Sequence, residues 1–229
     1  VMRHNGPFIA TAAWSIPKTV AGRFPKTGSG LERYAAVFNG VEINSTFYRH
    51  HQKKTFVRWA SAVPAHFLFA VKIPRDITHE ARLRNIGPLF DVFVDEISVL
   101  EGKLGPLLCQ LPPSLRFDAA EAEEAFSAMR RIFTGPLVLE PRHKSWASAP
   151  ARVLLQKYAI GRVLADPRPY GPYPIFVRRR NMSRCTARPK LITPATTMPT
   201  SVASPINSVR RAGASSTTRP RAPPSKVHW

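Results

Sequence analysis

The sequence predicts an α/β fold with parallel strands, and three observations lead there. Six short apolar runs, residues 41–48, 67–72, 107–110, 137–143, 162–166 and 175–178, each end in a polar or charged residue. Stretches with helical spacing separate them. The intervals between runs, about 25 to 40 residues, fit βα units whose crossovers force a parallel sheet.

Residues 8–13 form a plausible first strand, which makes seven. Before the second, Leu31, Tyr34, Ala35 and Phe38 recur at i, i+3, i+4 and i+7 and predict an inward helix face. Asp118 followed by Glu121 reads as a helix cap with an acid in the first turn, and Phe126, Met129, Ile132 and Phe133 continue that helix's inner face. Further helices are expected around 88–102 and 148–158. A closed eight-stranded barrel needs one more strand after Arg178, and no run there supplies it.

The strand ends locate a site. A charged group at the buried end of a strand must be paired, hydrogen-bonded or useful, because desolvating it alone costs on the order of several kcal/mol. Six such ends in order point the carboxyl ends of parallel strands at one place.

Charge divides the chain. Lys and Arg outnumber Asp and Glu 34 to 14, giving +20, yet no acid follows Asp166. From residue 171 to 229 there are nine Arg and two Lys, or +11, which leaves +9 for residues 1–170. The same stretch holds nine of the 23 prolines, and apolar periodicity ends at Val177. Residues 1–178 are therefore expected to fold, and 179–229 to form an Arg-, Pro-, Ser- and Thr-rich disordered basic tail. A nucleic-acid-binding arm is the functional reading of that tail, although Trp229 is its only aromatic and its arginines are scattered. Cys109 reads as a small buried hydrophobe, and with Cys185 makes neither a disulfide framework nor a metal cluster. With no apolar leader and no long apolar run, the expectation is a soluble cytoplasmic protein with no membrane partner.

A set of motifs taken in order resembles one family. These are Thr11 and Trp14 with Phe24-Pro25, the run Glu42-Ile43-Asn44-Ser45-Thr46-Phe47-Tyr48, Trp59 before Pro64, and Phe69-Ala70-Val71-Lys72 with Thr78-His79. Gln110-Leu111-Pro112-Pro113, Glu140-Pro141-Arg142-His143 with Ser145-Trp146, and Asp166 complete it. The sequence is similar in these respects to the YecE-like proteins, domain of unknown function 72, over residues 8–178. The resemblance implies a TIM-type (β/α) barrel, here lacking its last strand, with polar residues gathered at the strand ends; it implies no settled reaction. Two departures stand out. The family's Gly-Thr-x-Gly-Trp opening is Ala10-Thr11-Ala12-Ala13-Trp14 here, so Ala at a position needing positive φ is expected to strain the loop. After Val177-Arg178 the family's Leu-His-Gly is replaced by Arg179-Arg180-Asn181. That break reads as a shift of reading frame near residue 178, with a genuine variant tail as the alternative.

Glu42, Glu140 and Asp166, with His143, are the candidate catalytic residues. Two convergent carboxylates can serve as acid with nucleophile or base; with His79 or His143 they can instead hold a divalent metal that activates water. The structural alternative pairs Glu42 with Lys72 or Arg142 in a buried network. Lys72, Arg142 and Arg178 suit an anionic group, and a desolvated Lys72 would also suit Schiff-base chemistry. Trp14, Tyr48 and Trp146, with Phe47, are candidates to floor a pocket, packing being the alternative. Asn44, Gln110 and His79 would orient substrate. His50 and His51 are expected in a solvated loop.

The leading functional expectation is a hydrolase-like enzyme acting on an anionic phosphoester or nucleic-acid-derived compound. A glycosidase- or isomerase-like sugar enzyme and a non-catalytic binder of a small anion or nucleic acid are the alternatives. A damaged chain without activity of its own is the third.

Overall fold

The structure is a computed structural model that describes residues 7–166 and 183–185, all within the unit Val1–Arg188. Strands β1 (Gly40–Ile43), β2 (Leu68–Lys72), β3 (Leu104–Leu111), β4 (Leu137–Pro141) and β5 (Ile160–Arg162) form one parallel sheet in sequential order. Helix α1 (Gly30–Ala35) precedes β1, and α2 (Lys53–Ser61), α3 (Gly87–Ile97), α4 (Ala119–Ile132) and α5 (Ala149–Lys157) lie in the four crossovers. Among the described residues no helix is long and apolar enough to cross a membrane.

The helices begin where local chemistry says. Ser29 and Glu32 close a capping box on α1, which buries Leu31, Tyr34 and Ala35. Asp118 accepts from the Glu121 N–H (3.0 Å), and α4 buries Ala122, Ala125, Phe126, Ala128 and Met129. At the far end Arg130 donates to the carbonyls of Phe133, Gly135, Tyr158 and Ala159, tying the exits of α4 and α5 together. Helix α2 is unheralded: no side chain caps it, and Phe56 is its only fully buried residue.

Three expected features change. Residues 8–13 make not a strand but one parallel bridge, Ala12 to Glu42, with Glu42 N–H to Thr11 O (3.0 Å) and Ala13 N–H to Glu42 O (2.9 Å). The reason is at Ala13, whose φ of 68° turns the chain away. The run 162–166 divides: Arg162 ends β5, while β6 (Leu164–Asp166) pairs in parallel with β7 (Ser183–Cys185) in a separate sheet. Strand β7 falls inside the stretch expected to lack structure; the expected strand 175–178 and the rest of the tail lie outside the described residues.

Alternation along the strands sorts the side chains onto two faces. Val41, Ile43, Phe69, Val71, Leu107, Cys109, Leu111, Leu137 and Leu139 join the buried residues of the helices in the main core cluster. Burial pushes the Cys109 thiol up to about 12, so it behaves as the buried hydrophobe expected. Leu108, Val138 and Val163 form a small apolar cluster of their own. Between β2 and β3 the register shifts, and there Gly105 lets the backbones close: a Cβ would sit 2.9 Å from the Phe69 carbonyl oxygen.

A left-handed alanine should be correctable. Ala13→Gly is expected to raise stability by about 0.5–1 kcal/mol, the relieved strain exceeding the added chain entropy, as a higher urea midpoint with unchanged slope.

Candidate functional site

Register places the polar strand ends together. Glu42 pairs with Ala70, Lys72 follows Ala70 by two residues and pairs with Leu108, and Gln110 follows Leu108 by two and pairs with Glu140. Because side chains alternate with period two, Glu42, Lys72, Gln110 and Glu140 share one face, the face of the Leu108–Val138–Val163 cluster. Three of them are ionisable and nearly dry: Glu42 is 3% exposed, Lys72 7% and Glu140 2%.

Glu140 is held from two directions. Arg142, two residues further along the chain, donates its guanidinium to Oε1, and Gln110 donates its amide N–H to Oε2 at 3.2 Å. The nearly dry carboxylate thus has a cation on one oxygen and an amide on the other.

A second group forms around Phe47. The turn Ser45–Phe47 follows β1 directly, and the buried Thr46 hydroxyl is shared between the carbonyls of Ile43 (3.1 Å) and Lys72 (2.6 Å), fastening that turn to the end of β2. Lys72 Nζ then lies over the Phe47 ring, 4.1 Å from its centroid. Tyr48 and His79 meet the same ring edge-on, with centroids at 5.0 and 4.9 Å. Tyr48 is 73% exposed, which makes it the open rim of this group. Asn44, half-buried, leads into the turn.

His79 comes from an irregular segment. Asp76–Glu80 is a π-helical turn, and Arg82, Leu83 and Asn85 after it all have positive φ. Strained backbone of this kind collects at functional sites. The Thr78 hydroxyl oxygen lies 3.1 Å from the Pro74 carbonyl oxygen and 2.8 Å from His79 Nδ1, and its one proton serves one of the two. When that proton goes to Pro74, the neutral imidazole donates from Nδ1 and keeps its lone pair at Nε2. Partial burial, and then the charges of Lys72 and Arg75, lower the His79 pKa and keep the ring neutral near pH 7.

Other expected site residues are placed elsewhere. Trp146 is fully buried against Phe117 and Phe126 and donates its indole N–H to Leu115 O (3.0 Å), so it packs rather than flooring a pocket. Trp14 packs on Trp59, centroids 5.1 Å apart, at the margin of the main core. His143 caps the turn Lys144–Ala147, its Nδ1 accepting from the Ser145 N–H at 3.1 Å. Asp166 ends β6 opposite Cys185; its side chain and the whole of Arg178 lie outside the described residues. Among the described residues no group of three His, Cys, Asp or Glu side chains could hold a metal ion. An open recess of about 310 Å³ lies at the amino end of β1, beside Ala35–Asn39, and its one titratable lining residue is His66, so its chemistry is poorer than that of the carboxyl edge.

Sequence reasoning passed over the threonines. Thr46 and Thr78 hold Lys72 and His79 in place, and the signal was their presence in the motifs that carry the family resemblance, beside the candidates Phe47 and His79. His50 is exposed, as expected of its loop, and its imidazole lies between the carboxylates of Glu96 and Asp76.

Comparison with known proteins agrees on one family. Residues 8–225 match the model of the family described as "Protein of unknown function DUF72", which carries the likeness past residue 178, where the sequence resemblance was expected to stop. UPF0759 protein YecE of Escherichia coli (strain K12) is 35% identical over 106 residues, 46% of this chain and 37% of that protein. UPF0759 protein YunF of Bacillus subtilis (strain 168) is 29% identical over 136 residues, 55% of this chain and 48% of that protein. The chain therefore spans less than half the length of the curated relatives it matches. Its fold is similar to the crystal structures of a DUF72 family protein from Enterococcus faecalis V583 (TM-score 0.64, 21% identity, 79% of this chain and 70% of that one) and of another from Thermotoga maritima MSB8 (0.59, 26%, 73% and 68%).

Two measurements check the site's electrostatics. Arg142→Met should cost about 2–3 kcal/mol in urea unfolding by leaving the Glu140 charge short of its cation, and adding Glu140→Met should recover most of that loss. By NMR, His79 should titrate below the ordinary histidine range and move part of the way back in Lys72→Met. Because its folded pKa is depressed, stability linked to His79 is present above the ordinary histidine pKa and is lost as pH falls from there through the depressed value.

Proposed function

The chain belongs to the DUF72 family of proteins of unknown function, and on that footing we propose a TIM-type (β/α) barrel with a hydrolase-like site for an anionic phosphoester or nucleic-acid-derived substrate. The sequential strand order supports the barrel, because it needs no switch point and lets the sheet curl around its inner face. The burial of Leu108, Val138 and Val163 on the face away from the helices supports it too.

One observation carries the functional reading: Glu42, Lys72 and Glu140, nearly dry, are gathered with the half-buried Gln110 on one face at the strand ends. Charged groups desolvated together at the carboxyl edge of a parallel sheet are the usual mark of a site. In this reading Lys72 and Arg142 hold the anion, Gln110 and Asn44 orient it, and Tyr48 borders it. His79, neutral with its lone pair on Nε2, takes a proton from water as the water oxygen bonds to phosphorus and the bond to the leaving oxygen breaks. Glu140 orients Arg142. A requirement for a divalent metal is tested alongside.

The assay uses the full chain with p-nitrophenyl phosphate, bis-p-nitrophenyl phosphate and p-nitrophenyl glycosides, each with and without manganese. The phosphate esters should be cleaved, with rates falling at least about 100-fold in His79→Ala and Lys72→Met. Glu140→Gln should lower the rate while inorganic phosphate still binds. Cleavage of the glycosides alone would replace this reading by the sugar enzyme, and phosphate binding without turnover would replace it by the non-catalytic module.

A further inference from the structure

We infer that His50 is a pH-governed positioning residue: as an imidazolium it clasps the loop that carries Tyr48 to the turn that carries His79 and to α3. The geometry is specific. His50 Nδ1 lies 2.9 and 3.0 Å from the two carboxylate oxygens of Glu96, near the end of α3, and Nε2 lies 3.2 Å from Asp76, the first residue of the π-helical turn. A carboxylate only accepts and a neutral imidazole has only one N–H, so both contacts are made together only by the doubly protonated ring.

The surroundings favour that state. Partial burial opposes the charge, but hydrogen bonds to Glu96 and Asp76, and then their charges, outweigh it and raise the His50 pKa. The nearby charges are otherwise committed: Lys53 pairs with Asp95 on α3, and Arg75, beside Asp76, pairs with Glu80. His51 turns its Nε2 to the Ser45 hydroxyl (2.8 Å) and packs on Phe56 and Trp59; its own pKa is lowered by burial and by Arg49. His51 and Thr46 thus anchor the two ends of the segment, so what the clasp governs is the stretch between them, Phe47 to His50.

The sign follows from linkage. A raised folded pKa means that the clasp is fully made below the ordinary histidine pKa and is lost as pH rises through the raised value. Above it, one of the two contacts lacks its proton, and Asp76 and Glu96 are no longer screened from each other. The link to substrate rests on the function proposed above; the clasp does not.

The test follows the full chain by NMR across the histidine range, reading the His50 ring titration and amide exchange at residues 47–50 corrected for its intrinsic pH dependence. His50 should titrate above the ordinary histidine range, and the value should fall in Glu96→Gln and in Asp76→Asn. Exchange at 47–50 should rise about three- to tenfold between acid and alkaline pH in the native chain and stay flat in His50→Gln. An ordinary or lowered His50 pKa, or the same pH dependence in His50→Gln, would overturn the clasp. Phosphate affinity at both pH values, measured in the same samples, separates the two readings. No phosphate binding with the exchange pattern intact sinks the functional reading alone, and unchanged exchange with phosphate bound sinks the clasp alone.

Discussion

A carboxylate removed from water must be given partners, and the rest of this site is arranged around the way Glu140 receives its own. One comes across the sheet, from Gln110 on β3, and one along the chain, from Arg142 just past β4. The first requires the β3–β4 register, since a slip of one residue would turn Gln110 to the helix-facing side and leave Glu140 facing a hydrophobic side chain. The second requires that β4 stop at Pro141, whose ring also denies the ladder a donor. Sheet register and site electrostatics are thus one constraint.

The same logic extends to Lys72. Its ammonium is kept off solvent by the Phe47 ring, and that ring is placed by a turn whose Thr46 hydroxyl binds the Lys72 carbonyl. Residue, turn and neighbouring strand therefore fix one another. His79 extends the group on a segment that breaks helical regularity and then passes through three left-handed residues. Backbone strain there is sustained by the packed residues on either side, Ile77 and Thr78 before it and Ile86 after it, all buried.

Much of this was legible in the sequence. The β1, β2, β3 and β4 runs, the Asp118 cap and the buried Cys109 follow from alternation, capping chemistry and hydrophobicity, which act over a few residues. The strain at position 13 followed from the family resemblance, in which a glycine stands where this chain has Ala13, and Ala13 takes the positive φ. Helix α2 was not, because Lys53, Lys54 and Arg58 dominate its sequence and leave only Phe56 with the partly buried Trp59 and Ala60 to mark its inner face. Nor was the failure of residues 8–13 as a strand, where pairing is interrupted at the left-handed residue after a single bridge.

What the sequence determined by itself was the family, the alternation of strand and helix, and the end of each strand at which charges collect, since all three are written in short windows of residue type. Which of those charges meet was decided only by tertiary structure. Register across two strand pairs put Lys72, Gln110 and Glu140 on one face, and the same packing sent Trp146 into the core and set His143 to cap a turn. Residues 32 positions apart, such as Gln110 and Arg142, acquire a common partner only when the chain closes, because the free energy that joins them comes from burial shared by the whole sheet.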